Sequence, residues 1–140
     1  TPHGYADASY ASDPASYRST SGYIFMLKGG SVTWSSKKQS MVSLSTTESE
    51  SHALSFAAQE AHHLRSLLSS LGFDAKTPLI LHEDNQGTMH LANNLAYSPR
   101  TKHFGVRLAF LRETVASGIV RVVHICTKEQ LAAFGPRTCN

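Results

Sequence analysis

The sequence predicts an α/β fold with a mixed sheet, and three observations lead there. Strand-like segments crowd the first 36 residues and include a hairpin pattern. A long helical stripe follows, opened by Ser45-Thr46-Thr47-Glu48. After it the patterns run strand, helix, helix, strand, helix. Hairpin-linked strands first and helix-linked strands later give a sheet with both antiparallel and parallel neighbours. The chain has 140 residues, which fits one domain spanning 1–140. A domain near this size buries roughly 68–70% of its unfolded surface, enough for a core without disulfide or metal staples.

Residues 3–10 alternate, with Tyr5, Asp7 and Ser9 facing one way and Ala6 and Ala8 the other. Residues 11–20 are rich in Ser, Asp and Pro and read as a loop. Residues 22–28 and 31–36 flank Gly29-Gly30, which predicts a two-residue hairpin turn at those glycines. Ser45 and Glu48 form a capping box, in which hydroxyl and carboxylate each satisfy an orphan amide. The helix they open runs to about Ser70 and stops at Gly72. Leu79-Ile80-Leu81 is a short apolar run of the buried-strand kind that ends at His82-Glu83-Asp84. A helix is expected over 86–94 and a polar, basic loop over Ser98–His103. Phe104, Leu108, Leu111 and Val115 stand at helical spacing, and Gly118 is a stop. Residues 119–126 are β-branched and strand-like. Thr127-Lys128-Glu129-Gln130 is a second capping box, opening a final short helix. No repeat, linker or low-complexity tract appears.

Composition excludes several classes. The two cysteines, Cys126 and Cys139, are too few for a disulfide framework and fit a reducing, intracellular setting. No run approaches ~18 apolar residues, so no membrane-spanning helix and no membrane partner are expected. Thr1-Pro2-His3-Gly4 is not a signal peptide and runs almost directly into a strand. That predicts a domain cut from a longer polypeptide, cytoplasmic or nuclear and not secreted. The formal net charge is +3, which permits a polyanionic partner without demanding one. No nucleophile elbow, phosphate-binding glycine loop or dinucleotide fingerprint is present. His62-His63 lacks the partners of a zinc site.

The chemistry lies in three short acidic motifs: Tyr5-Ala6-Asp7-Ala8-Ser9, Thr47-Glu48-Ser49-Glu50 and Glu83-Asp84-Asn85-Gln86. They fall in a strand, at the start of a helix, and where a buried strand runs out. Carboxylates at three such places can converge on divalent metal, because hard cations take oxygen ligands. Asp7 is disfavoured inside a strand unless it faces water or has a role. Glu50 heads the stripe Glu50, Leu54, Ala57, Ala61, Leu64, Leu68, where a carboxylate is costly unless paired or metal-bound. Glu48 lies about 200° away around the helix and suits the cap. Asp84 is placed equally well to bind metal outside a strand end or to cap the next helix. Asn85 and Gln86 carry amides near the same edge. Arg100, Lys102 and His103 form a small basic cluster suited to phosphate or to solvent. His124 is either a proton shuttle or an ordinary strand histidine.

These residues resemble the ribonuclease H domain of copia-type LTR retrotransposon polyproteins. The matching stretches are Tyr5–Ala8, Ser19–Tyr23, Val32–Gln39, Leu44–Glu50, Glu83–Gly87, Ser98–His103 and Thr127–Ala132, in family order over nearly the whole chain. The resemblance implies a ribonuclease H-like fold, a five-stranded mixed sheet with flanking helices. It implies cleavage of the RNA strand of RNA–DNA hybrids with two Mg²⁺ ions, for which Mn²⁺ can substitute, beside a reverse transcriptase in a parent polyprotein. It makes Asp7, Glu50 and Asp84 the catalytic metal ligands, and Asn85 and Gln86 substrate-contacting positions. It sets Ser45, Thr46 and Thr47 against the hybrid backbone. Read from the residues themselves, the basic cluster puts Arg100 and Lys102 on the nucleic-acid path, and His124 and Glu129, the latter one helical turn before residue 133, are auxiliaries.

The chain departs from the resemblance at two places. Thr46-Thr47-Glu48-Ser49-Glu50-Ser51 stands where the pattern reads Ser/Thr-Thr-Glu-Ala-Glu-Tyr, a mild change. Gln130-Leu131-Ala132 is followed by Ala133, where the pattern has the fourth acid, and the tail 134–140 is atypical. The expected function is thus a metal-dependent hybrid-cleaving ribonuclease, either intact or weakened by that loss. The alternatives are a relic that binds nucleic acid or a protein without cutting, and a host-domesticated binding domain.

Overall fold

The computed structural model describes residues 2–73, 77–93 and 105–125. Within them, strands β1 (His3–Ser9), β2 (Thr20–Leu27) and β3 (Gly30–Lys38) precede helix α1 (Thr46–Ser70). Strand β4 (Leu79–Glu83), helices α2 (Gln86–Asn93) and α3 (Gly105–Ala116) and strand β5 (Val120–His124) follow. The five strands form one sheet in the order β3-β2-β1-β4-β5. β1 pairs antiparallel with β2, and β2 with β3; β1 pairs parallel with β4, and β4 with β5. The expected mixed sheet is therefore present, with β1 between its antiparallel and parallel halves.

The hairpin differs by one residue from its expected turn. Leu27 pairs with Gly30, so the two loop residues are Lys28 and Gly29, at φ 50° and 82°. Positive φ at both positions is the type I′ geometry whose twist suits a hairpin. The register then slips between Phe25 and Met26, where Val32 is the extra residue on β3. The 11–20 loop is tied by Asp13, whose carboxylate accepts from Ala15 N (3.1 Å), Ser16 Oγ (2.6 Å) and Lys38 Nζ (2.8 Å). The hydrogen bond from Lys38 holds the Asp13 carboxyl well below the usual carboxylate range, helped by that from Ser16.

α1 packs on the sheet through the stripe the spacing predicts. Leu54, Ala57 and Ala61 are fully buried, with Leu64 nearly so and Leu68 partly. They meet Phe25, Leu81, Val120 and Val122 from the strands, and Leu108 and Leu111 from α3. Each of the large side chains contributes about 1.5–3 kcal/mol by leaving water. Ser55 Oγ donates to Arg107 O (3.0 Å) and Arg65 Nη1 to Gly118 O (3.2 Å), pinning α3 along α1. His62 Nε2 meets Thr114 Oγ1 at 3.0 Å, a further tie between α1 and α3.

The end of α1 is a Schellman motif. Phe73 N donates to Leu68 O (3.0 Å) and Gly72 N to Ser69 O (3.1 Å), with Gly72 at φ 88°. α3 ends the same way, Ile119 N donating to Thr114 O and Gly118 N to Val115 O. Gly4 is required for a different reason. A Cβ there would lie 2.5 Å from Phe25 Cε1 and 2.6 Å from Leu81 Cδ2, inside the core. Gly4→Ala is therefore expected to destabilise the domain by about 1–3 kcal/mol, the usual cost of overpacking, in a urea denaturation series. A wild-type midpoint would contradict the close packing of β1 on Phe25 and Leu81.

Candidate metal centre

Three elements bring the acidic motifs together. Asp7 lies in β1, whose neighbours β2 and β4 cover both edges, and it is fully buried. Glu50 is in the first turns of α1 and is 3% exposed. Asp84 follows the last residue of β4 and is half-buried. One carboxylate oxygen from each lies within 4.8 Å of the others. Three like charges that close, two of them buried, repel and are costly in the absence of a cation. All three donors are hard oxygens, the set that Mg²⁺ and Mn²⁺ take. The residues therefore fit a divalent cation.

The start of α1 is shaped by the cap the sequence predicts, with one change. Ser45 is extended (φ −153°, ψ 162°), and its Oγ accepts from Glu48 N at 3.1 Å. The Glu48 carboxylate reaches Leu44 N (2.7 Å), one residue before the expected Ser45 amide. Glu48 thus serves the cap, and Glu50 is left to face Asp7 and Asp84. Gln39 locks this arrangement. Its Nε2 donates to Ser21 Oγ (2.8 Å) and Ser49 O (2.9 Å), and its Oε1 accepts from Ser43 Oγ (3.0 Å). The sequence marks Gln39 within a motif but gives no sign of this bridge between β2 and α1.

The cap of α2 is supplied by the neighbour of Asp84. Asn85 Oδ1 accepts from Thr88 N at 2.9 Å, so Asn85 caps α2. That cap engages the Asn85 oxygen; Asn85 is also one of the two expected substrate-contacting positions. Thr88 Oγ1 reaches Thr47 O (3.4 Å), joining the start of α2 to the start of α1. Ser45, Thr46 and Gln86 are exposed near the acids' helix termini, and Thr47 is half-buried. His124 is exposed at the end of β5, level with Glu83 in the sheet register. Arg100, Lys102, Glu129 and Ala133 lie outside the described residues, as do the final capping box and the tail.

Two features escaped the sequence. Glu83 is fully buried, and its Oε2 has no hydrogen-bond partner among the described residues. Burial, then the charge of Glu50, push its carboxyl well above the ordinary range. The alternation Leu79, Leu81, Glu83 on the buried face of β4 was the available signal. The second is a hollow of about 150 Å³ whose lining includes Lys37, Lys38 and Arg107. An adjoining hollow of about 280 Å³ runs past Arg107 to Glu48 and His52. Burial and then Arg107 lower the His52 imidazole, which favours its neutral form there.

No protein-family model matches the chain. It is 40% identical over 130 residues, 93% of its length, to the retrovirus-related Pol polyprotein from transposon RE2 of Arabidopsis thaliana. It is 38% identical over 129 residues, 92% of its length, to that from transposon TNT 1-94 of Nicotiana tabacum. The chain spans only 9% and 10% of those polyproteins. Its fold matches RNase H1 from the halophilic archaeon Halobacterium salinarum (TM-score 0.66, 16% identity, 94% of this chain and 90% of that one). It matches LC11-RNase H1, solved in complex with an RNA/DNA hybrid, equally well (TM-score 0.66, 14% identity, 94% and 89%).

Proposed function

For a chain with the ribonuclease H fold, homologous to a segment of transposon Pol polyproteins, we propose a metal-dependent endonuclease that cleaves the RNA strand of RNA–DNA hybrids during reverse transcription. The observation that carries this reading is the convergence of Asp7, Glu50 and Asp84, whose oxygens lie within 4.8 Å of one another. Asp7, Glu50 and Asp84 would hold two Mg²⁺ ions, the first two as buried and the third as a half-buried ligand. When bound, such a pair activates the attacking water and stabilises the leaving 3′ oxygen.

The chain's own groups would bind and orient the hybrid. The N-terminus of α1 presents a positive dipole end, with the hydroxyls of Ser45 and Thr46 exposed there to meet a phosphate. Gln86, exposed at the first position of α2, would contact the strand beside Asp84. Lys37 and Arg107 line a hollow able to receive backbone phosphates, an addition to Arg100 and Lys102. Recognition would rest on the A-like shape of the hybrid and its 2′-hydroxyls, not on base sequence. The reverse transcriptase of a parent polyprotein would supply that hybrid, inside the cell. No helix among the described residues is long and apolar enough to cross a membrane.

The test is cleavage of an end-labelled RNA–DNA hybrid, against RNA and DNA duplex controls, in Mg²⁺ and in Mn²⁺. Metal-dependent cutting of the hybrid's RNA strand is expected. Binding without cutting would favour the second reading, an inactive relic, for which Ala133 in place of the fourth acid is the observation. Hybrid binding is also expected to weaken steeply with salt, since bound Lys and Arg release counterions. Neutral replacements of Lys37, Arg107, Arg100 and Lys102 should each flatten the log–log salt slope by about 1. A slope unchanged by a given replacement would take that side chain off the nucleic-acid path.

A further inference from the structure

We propose that Glu83 is a positioning residue for Asp84: its carboxyl oxygen Oε1 receives the amide hydrogens of Asp84 and Asn85, and so fixes the turn that carries Asp84 to Asp7 and Glu50. Both bonds are 3.1 Å long. The inference rests on the metal-centre reading above and adds a residue to it.

β4 ends at Glu83, so the next two amides leave the sheet ladder. They do so at a depth where Glu83 itself is fully shielded from water. A backbone amide that leaves a ladder inside a protein needs another acceptor. Glu83 Oε1 serves both. Leu79 and Leu81 occupy the preceding inward positions, so an apolar residue would suit the packing at 83 better. What the carboxyl supplies is an acceptor directed at its own chain.

The turn is fastened on both sides of Asp84. On one side, Ile125 N donates to Glu83 O (3.0 Å), holding the Glu83 backbone against the end of β5. On the other, Asn85 Oδ1 caps α2 through Thr88 N, and Thr88 Oγ1 reaches Thr47 O on the helix that carries Glu50. Asp84 is thus the single residue between an anchored strand end and an anchored helix cap. Its carboxylate is half-buried and faces two buried partners across no more than 4.8 Å. A ligand so placed depends on its backbone angles, and Glu83 is the group that holds them. Groups that orient a metal ligand in this way typically change metal affinity 10- to 100-fold when lost.

Glu83→Gln keeps an oxygen acceptor at Oε1, whereas Glu83→Met keeps the length and removes it. Mn²⁺ titration of the apo chain, followed by the loss of the free-ion EPR signal, reads affinity without cleavage. Glu83→Gln should bind within about threefold of wild type, and Glu83→Met roughly 10- to 100-fold more weakly. Amide hydrogen exchange of the same proteins should show Asp84 and Asn85 protected in wild type and Glu83→Gln, and fast in Glu83→Met. A folded Glu83→Met that binds Mn²⁺ like wild type overturns the positioning role while leaving the metal centre standing. If Glu83→Met does not fold, the wild-type exchange decides: protected Asp84 and Asn85 amides support the proposal, and unprotected ones overturn it. A wild-type chain that binds no Mn²⁺ sinks the metal centre and the proposal with it.

Discussion

Asp7→Asn, Glu50→Gln and Asp84→Asn are each expected to lower hybrid cleavage by at least ~100-fold, about 2.7 kcal/mol of barrier, with the fold intact. The three oxygens lie within 4.8 Å of one another, so each acid supplies charge that its two neighbours cannot replace. Neutralising one also removes like-charge repulsion from a buried cluster. Stability of the metal-free chain should therefore hold or rise while activity falls, which separates a site effect from a folding effect. Glu48→Gln is the control. Its carboxylate accepts from Leu44 N, so the change should cost about 1 kcal/mol of stability and little activity. Circular dichroism, thermal melting and single-turnover cleavage on the four variants give the answer. Should Glu48→Gln be inactive and Glu50→Gln active, the helix would be presenting the other acid to the site.

Ala133→Asp is the change expected to raise activity. The pattern that this chain resembles ends with a fourth acid at this position, and the chain has alanine. A site with three carboxylates holds its second cation weakly, so cleavage should be slow in Mg²⁺. Mn²⁺ should partly rescue it, since it accepts poorer geometry than the near-ideal octahedron Mg²⁺ demands. Glu129 stands one helical turn earlier by spacing and could reach the site through water. The restored acid should raise Mg²⁺-dependent cleavage at least ~10-fold, about 1.4 kcal/mol. No gain in a folded variant would show that residue 133 does not face the metals. It would also favour the inactive reading over the weakened one.

Much of this architecture was legible because the patterns are local. The Leu54–Leu68 stripe, the Ser45 cap and the glycine stops at 72 and 118 each depend on neighbours a few residues away. Asp7, Glu50 and Asp84 were legible as a set because each sits at a local break: an acid in a strand, an acid on an apolar stripe, an acid at a strand end. The turn was misplaced by one residue because Lys28 takes positive φ, which the Gly29-Gly30 pair conceals. Glu83 was missed since a carboxyl ending an apolar strand reads as solvent-facing. Its surroundings come from distant elements: β5 pairs with it from 41 positions away (Glu83 with His124), and the charge of Glu50 in α1 acts on its carboxyl. The Gln39 bridge and the basic hollow likewise join β2, β3, α1 and α3, and no single stretch of sequence contains them.

The strand order has a consequence for how the chain emerges from the ribosome. β1 is made first, yet one of its two sheet neighbours, β4, begins at residue 79. Until then the nascent β1 lacks that neighbour, and the edge that will meet β4 displays unpaired backbone groups. The β4 register covers His3, Gly4 and Tyr5, two residues short of Asp7, so the stretch leading to the acids is for a time a template for adhesion to other strands. A charge so close to a bare strand edge discourages such pairing, because a foreign strand would have to enclose it. Asp7 would then guard the young chain before it serves the finished one.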